Sequence, residues 1–334
     1  MTISNILNQK KQNTNLVMNP ILTIAIPTYN RATQIQKQIR LLLPQLSDLI
    51  ELIVYDNHSE IPVCELFDDD ELLKFKIVRN KMNVGADANI ARCFENCTTK
   101  WLWSLADDDY IKINAVEIVL NEIQKKQDAL FINFFNDHYS KTQGFNEFIE
   151  EFKSENVYIS SFTMSSCLYN MSKLHNYLFF YYDNLSSMVG TIILVLKYLE
   201  RNNDDVCILQ TNTPIDQYNT AVGWNYANYI RRNKLFIDAF GGKHNRKFNK
   251  TLFLGCHKTN YLLIILNRKE SGLDYWQRWQ SLVQTIKNQG ITNAMLYTPN
   301  SLFFTSAYLV FQHKLLNWIL SIKHRLFRPT VNQL

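Results

Sequence analysis

Glycine and proline are scarce in this chain of 334 residues, at nine and seven. Their scarcity excludes collagen-like and linker-rich architectures, and no internal period marks a repeat protein. The six cysteines are spread out, with no CxxC pair and no Cys/His spacing of a zinc site. The closest two, Cys93 and Cys97, lie four apart on a predicted helix, so scattered buried thiols in a reducing compartment are expected. No stretch reaches the roughly 18 consecutive apolar residues that span a bilayer. The polar opening "MTISNILNQKKQNTNLVMNP" lacks the apolar centre of a secretory signal, so a cytoplasmic chain is expected. Acids are missing from the rear: none follows Asp274, and from Ala221 onward 16 Lys+Arg stand against 3 Asp+Glu. The first 220 residues carry 19 basic and 27 acidic side chains. An acidic front and a basic rear suggest two jobs.

What is present is a core-forming composition, 46% hydrophobic and 19% charged. The run "ILTIAIPTYN" (21–30) reads as a buried strand stopped by proline. In "RATQIQKQIRLLL", Ile35, Ile39, Leu42 and Leu43 share one helical side. "ELIVYDN" (51–57) and "KFKIVRN" (74–80) are two further short strands. "NVGADANIARCFENC" (83–97) is a turn feeding a helix that faces Ile90 and Phe94 inward. "KWLWSLADDD" (100–109), "NAVEIVLNEIQKK" and "DALFINFFND" continue as strand, helix and strand. This alternation predicts an α/β fold with a parallel, doubly wound sheet. From about 150 to 220, a strand pair ("NVYISSF", "SSCLYNM") and the helix "SSMVGTIILVLKYLE" are expected.

In such sheets ligands bind outside the carboxyl ends of the strands. "PTYN", "DN", "RN" and "DDD" all fall at such ends. Three adjacent carboxylates repel one another, and a solvated acidic turn is the simplest account of Asp107, Asp108 and Asp109. The strand "WLWSLA" instead delivers them to the same edge as three other polar clusters. Mg²⁺ or Mn²⁺ uses one or two carboxylates together with substrate phosphates, so a metal-clamped diphosphate is the chemistry this pattern suits.

The series "TIAIPTYNR", "LIVYDNHSE", "NVGADANI" and "WLWSLADDDY" resembles the family 2 glycosyltransferases of GT-A fold, over about residues 21–215. The similarity is to the bacterial branch that builds lipopolysaccharide O-antigens and capsules. The resemblance implies a Rossmann-like nucleotide-diphospho-sugar transferase domain over 21–220. A flexible segment (1–20) precedes it, and a basic, mainly helical region (221–334) follows. Pro27, Thr28, Tyr29 and Arg31 match the loop that wraps the base and approaches the phosphates. Asp56 matches the acid that reads the pyrimidine N–H. Asn83, Gly85 and Asn89 match an NxGxxxN element near the diphosphate or sugar hydroxyls. Asp107 matches the ribose-side acid, Asp108 the metal ligand, and Asp109 either shares the metal or orients Asp108.

Two departures stand out. His58 replaces the glycine common after "DN". The acid pair that opens a helix some 80–100 residues past the triplet, and deprotonates the acceptor in inverting members, is missing. Asp183 is the nearest candidate base, with a turn or capping role as the competing reading.

The resemblance further implies a UDP- or dTDP-sugar donor and a lipid-linked or lipopolysaccharide acceptor at the inner face of the cytoplasmic membrane. Phe311, Leu315, Trp318, Ile322 and Leu326 form an apolar stripe flanked by cations. That suits an interfacial helix over 308–328, or a terminal helix docked on the domain. Trp224, Tyr226 and Tyr229 read as core or as sugar-stacking rings. Arg231 and Arg232 read as a solvated face or a phosphate clamp. Nucleic acid is not expected, because the cations accompany an apolar stripe rather than stacking platforms. The alternative to an active transferase is a relative that kept the donor site and lost the base.

Overall fold

The computed structural model describes residues 19–218 and 239–240. They belong to one compact unit, Met1–Gly223 with Asp238–Gly241; Trp224–Ile237 with Gly242–Leu334 forms another. The expectations for residues 1–18, for Trp224 to Arg232 and for the 308–328 stripe lie outside the described residues.

The strands are β1 (Leu22–Thr28), β2 (Ile50–Asp56), β3 (Lys76–Arg79), β4 (Trp101–Ser104), β5 (Tyr110–Ile111), β6 (Phe131–Asn133), β7 (Ser140–Gln143), β8 (Cys167–Asn170), β9 (Val206–Leu209) and β10 (Ile215–Gln217). Eight form one sheet in the order β3-β2-β1-β4-β8-β6-β9-β7, and β10 pairs with β5. The first four are mutually parallel. β8 runs antiparallel between β4 and β6, and β7 is antiparallel to β9. The sheet is therefore mixed, not wholly parallel as the alternation predicts. Antiparallel β8 comes from a segment without the strand–helix rhythm that the rule reads.

The longer helices are α1 (Ala32–Leu42), α2 (Ala86–Glu95), α3 (Ala115–Lys125), α4 (Gly144–Glu151), α5 (Glu155–Phe162) and α6 (Gly190–Leu199). α1 forms where the sequence predicts it and buries Ile35, Ile39 and Leu42, with Leu43 partly buried against the same core. α3 buries Val116, Val119, Leu120 and Ile123 at helical spacing. On α2, Phe94 is buried but Ile90 is only half-buried, because Asn89 and Cys93 take the inner face.

The "NVYISSF" stretch is helix α5, not a strand. Ser154 caps it by accepting a hydrogen bond from the Val157 N–H at 3.4 Å. Cys93, Cys97, Cys167 and Cys207 are buried free thiols as expected, whereas Cys64 is exposed.

One proline shapes the sheet. β1 pairs with β4 only from Leu22↔Trp101 to Ala25↔Ser104, followed by a Leu105 N–H bond to the Ala25 carbonyl. Pro27 has no N–H to continue that ladder. The β1–β2 pairing continues on the other side to Thr28↔Asp56. The β1–β4 backbone ladder thus ends at Leu105, and beyond it the Thr28 hydroxyl reaches Asp107 at 2.6 Å instead.

A small polar cluster lies where β7 and α4 meet. His138 bridges Asp137 (2.6 Å) and Glu151 (2.8 Å) through its two ring nitrogens, and Glu151 also accepts from the Ser140 hydroxyl. Glu151, then Asp137, raises the imidazole pKa above its ordinary value. A His with a raised folded-state pKa contributes stability below its unfolded pKa and loses it as pH rises through the folded one. His138→Asn is therefore expected to lower the melting temperature slightly at pH 6, with the gap closing by pH 9. An unchanged gap across that range would remove the charge from the account.

Candidate donor site

Four loops meet at the carboxyl ends of β3, β2, β1 and β4, where the sequence predicts a ligand edge. The triplet after β4 separates its three carboxylates. Asp107 is buried, 5% exposed; its Oδ2 accepts the Thr28 hydroxyl at 2.6 Å and its Oδ1 accepts Arg31 Nη1 at 2.8 Å. The same Nη1 also donates to Asp108 Oδ2. Asp109 turns the other way, accepting the Ser165 hydroxyl at 2.6 Å. Ser165 Oγ in turn accepts the Ala106 N–H at 2.9 Å. Gln38 of α1 donates to the Ala106 carbonyl at 3.3 Å, so the loop is held from both faces. Burial raises the Asp107 carboxyl pKa, and the Thr28 and Arg31 bonds offset only part of that rise. The Arg31 guanidinium offsets one of the two charges of the Asp107 and Asp108 pair.

Asp56, at the end of β2, is fully buried. Its oxygens accept the N–H groups of Ser59 (2.8 Å) and Val63 (3.3 Å) and the guanidinium of Arg79. Burial pushes this carboxyl up, but the Ser59, Val63 and Arg79 donors outweigh it and hold it below the usual range. The ring-reading role expected for Asp56 thus falls on a carboxylate whose two oxygens are already engaged. Arg79 is exposed and also donates to the Ser59 carbonyl at 2.8 Å. The sequence reading passed over it, although "RN" at a strand end was the signal.

The NxGxxxN element is a scaffold of amides. Asn57 Oδ1 accepts Asn80 Nδ2 (2.9 Å) and the Val84 N–H (3.0 Å), while Asn57 Nδ2 donates to Asn83 Oδ1 at 2.8 Å. Asn80 Nδ2 also donates to Asn89 Oδ1 at 2.8 Å, and Asn89 Nδ2 donates to the Tyr55 carbonyl at 2.9 Å. Asn89 is buried, so its side chain staples α2 to β2 and does not line the rim. Asn83 is exposed at the rim.

Gly85 opens α2 with φ 86° and ψ 159°, a region open essentially to glycine alone. A Cβ there would meet nothing within 4 Å, so the requirement is the backbone. Gly85→Ala is expected to cost about 1–3 kcal/mol, read by chemical denaturation of the full chain. A change below about 0.5 kcal/mol would mean the turn relaxes freely.

The 27–31 loop is fixed to its neighbour. Asn30, at φ 53°, donates its N–H to the Ser59 hydroxyl oxygen at 2.9 Å, and its side-chain oxygen accepts the Glu60 N–H at 2.8 Å. Tyr29 stands exposed beside it. His58 has φ 65°, the left-handed backbone that favours glycine, which accounts for the glycine common there in the resembling family.

Asp183 is not gathered with these groups. It is exposed, and the adjacent Tyr182 donates to Glu95 at 2.9 Å, in the last turn of α2 and away from the rim. α6 opens at Val189–Gly190 with no acid in its first turn.

Among the described residues, no three Asp, Glu, His or Cys side chains form a metal cage. Mg²⁺ and Mn²⁺ need no such cage when a diphosphate completes their shell. Asp107 and Asp108, which meet at one cationic nitrogen, fit that arrangement; Asp109, turned to Ser165, does not join them.

A mixed α/β sheet with this rim defines a GT-A domain. Residues 23–184 match the family model described as glycosyl transferase family 2. An "Uncharacterized glycosyltransferase" of Haemophilus influenzae is 28% identical over 127 residues, 38% of this chain and 41% of the relative. The match thus spans about two fifths of the length of that curated relative. S. aureus TarS (residues 1–349) superposes with a TM-score of 0.55 at 14% identity, covering 81% of this chain and 80% of TarS 1–349. The same protein in complex with UDP gives 0.54, also at 14% identity, with 80% and 81% covered. At that identity the likeness concerns the fold. No described helix is long and apolar enough to cross a membrane.

Proposed function

We propose that this chain transfers a sugar from a nucleoside diphosphate sugar to a growing bacterial surface glycan, lipopolysaccharide or capsule, by inverting displacement. The single observation that carries the reading is the convergence of Asp107 and Asp108 on Arg31 Nη1 beside Thr28. Two carboxylates against one guanidinium leave a net negative charge there, which a divalent cation would balance beneath a diphosphate. UDP in the TarS complex supports a uridine or thymidine nucleotide as donor. The 27–31 loop, Asp56 with Arg79, and Asn83 border the nucleoside end. Mg²⁺ or Mn²⁺ on Asp107 and Asp108 would supply Lewis-acid stabilisation of the departing diphosphate. Arg31, relieved of its carboxylates, would be placed to meet phosphate oxygens. The lipid-linked acceptor and inner-membrane location follow from the family's usual acceptors and from the basic rear of the sequence.

Calorimetry of the full chain with UDP and dTDP, with and without Mn²⁺, tests the reading. Micromolar binding that strengthens at least tenfold with Mn²⁺ is expected, and absence of nucleotide binding in either condition sinks it.

A second reading, a donor-binding relative that does not transfer, is supported by the acid-free opening of α6 and the exposed, distant Asp183. Nucleotide binding without release of UDP from any UDP-sugar would favour it.

A further inference from the structure

The donor loops occupy the rim from β3 to β4, which leaves the β8–β6 end of the same rim without an assigned role. Phe135 stands there, two residues past β6. Its φ is 68°, a left-handed backbone that a bulky aromatic residue rarely holds outside functional sites. The residue is 48% exposed although the neighbouring Phe134 is fully buried.

A second aromatic residue completes a ledge. The Tyr218 ring lies 5.0 Å from that of Phe135 at 53°, and its hydroxyl is fixed by Ser166 (2.8 Å) and Thr213 (3.1 Å). Ser166 adjoins Ser165, the partner of Asp109, so the ledge is continuous with the far side of the acid triplet. β8 alone separates β6 from β4. β10 pairs antiparallel with β5, Gln217 opposite Tyr110, so Tyr218 follows directly beside Asp109 and the ledge borders the triplet.

We propose that Phe135 and Tyr218 form the acceptor subsite, a platform for the apolar face of a pyranose ring. This assignment rests on the transferase reading above. Pyranose C–H bonds carry partial positive charge and face the electron-rich ring of an aromatic side chain. The buried Ser166 and Ser165 hydroxyls, bonded to Tyr218 and Asp109, hold the ledge in place from below. The left-handed turn at Phe135 presents the ring at the rim when an ordinary strand exit would fold it under.

The test uses saturation-transfer NMR on the full chain with UDP and Mn²⁺. The probes are the methyl glycosides of glucose, galactose and N-acetylglucosamine. In the wild-type protein the ring protons of at least one glycoside are expected to saturate. Phe135→Gly should cut that signal at least fivefold with UDP affinity within twofold, and Phe135→Tyr should keep it. The melting temperature of Phe135→Gly should hold or rise, since glycine accepts this φ; a ring kept for packing alone would lower it. Saturation retained in Phe135→Gly overturns the subsite, as does failure of every probe to saturate while UDP binds. Failure of UDP itself to bind instead overturns the donor reading, and the subsite with it.

Discussion

Asp108→Ala is expected to leave the fold intact and to lower release of UDP from a UDP-sugar by about a thousandfold. Asp108 is the more open member of the pair, its side chain 19% exposed, so its loss leaves no cavity in the core. What disappears is half of the anionic seat that meets Arg31. Under the transferase reading the loss falls on stabilisation of the leaving diphosphate, worth several kcal/mol when a metal supplies it; a thousandfold corresponds to roughly 4 kcal/mol of barrier. Asp109→Ala should cost far less in rate, because that carboxylate accepts the Ser165 hydroxyl. UDP release by each variant, with circular dichroism as the control for folding, checks both. Equal losses in the two would dissolve the distinction that the geometry draws.

The second large effect concerns stability. Arg79→Met removes the cationic partner of a carboxylate that is fully buried. Breaking a buried pair from one side costs about 3–5 kcal/mol. The Ser59 and Val63 N–H groups remain on Asp56, so about 3 kcal/mol is expected at pH 7. That is a drop of roughly 6–12 °C in melting temperature for a unit of this size. The pH dependence has a defined sign. Asp56 is held below the usual carboxylate range, so its contribution is present above the unfolded-state pKa. It is lost as pH falls through the folded-state value. The wild-type and Arg79→Met curves should therefore converge on acidification below about pH 4. A gap that stays constant down to pH 3 would assign the loss to packing of the arginine stem.

These two sites show how far the sequence carries. The position of every donor-side cluster was legible, because consecutive parallel strands bring their carboxyl ends to one rim whatever the loops contain. Thr28, Arg31, Asp107 and Asp108 meet there. The pairing of each charge was not legible. Asp107, Asp108 and Asp109 are adjacent in sequence, yet the loop splits them between Arg31 and Ser165, a residue from a connection 56 positions away. Asn89 matched a ligand-facing motif, but its inward position on α2 makes it a staple. The helix over "NVYISSF" was missed because its aromatic and β-branched content favours strand, while the Ser154 cap and burial of Val157 and Tyr158 decide otherwise. Phe135 carried no sequence signal, since nothing in "FFND" foretells a left-handed turn.

The break in the β1–β4 ladder has a wider consequence. It is set by an imide nitrogen within the covalent backbone of Pro27, so it depends on no charge, rotamer or loop motion. Beyond it the two strands are joined through side chains alone, the Thr28 hydroxyl on Asp107. A residue with an amide hydrogen at position 27 would have the donor to carry the backbone ladder one step further toward that contact.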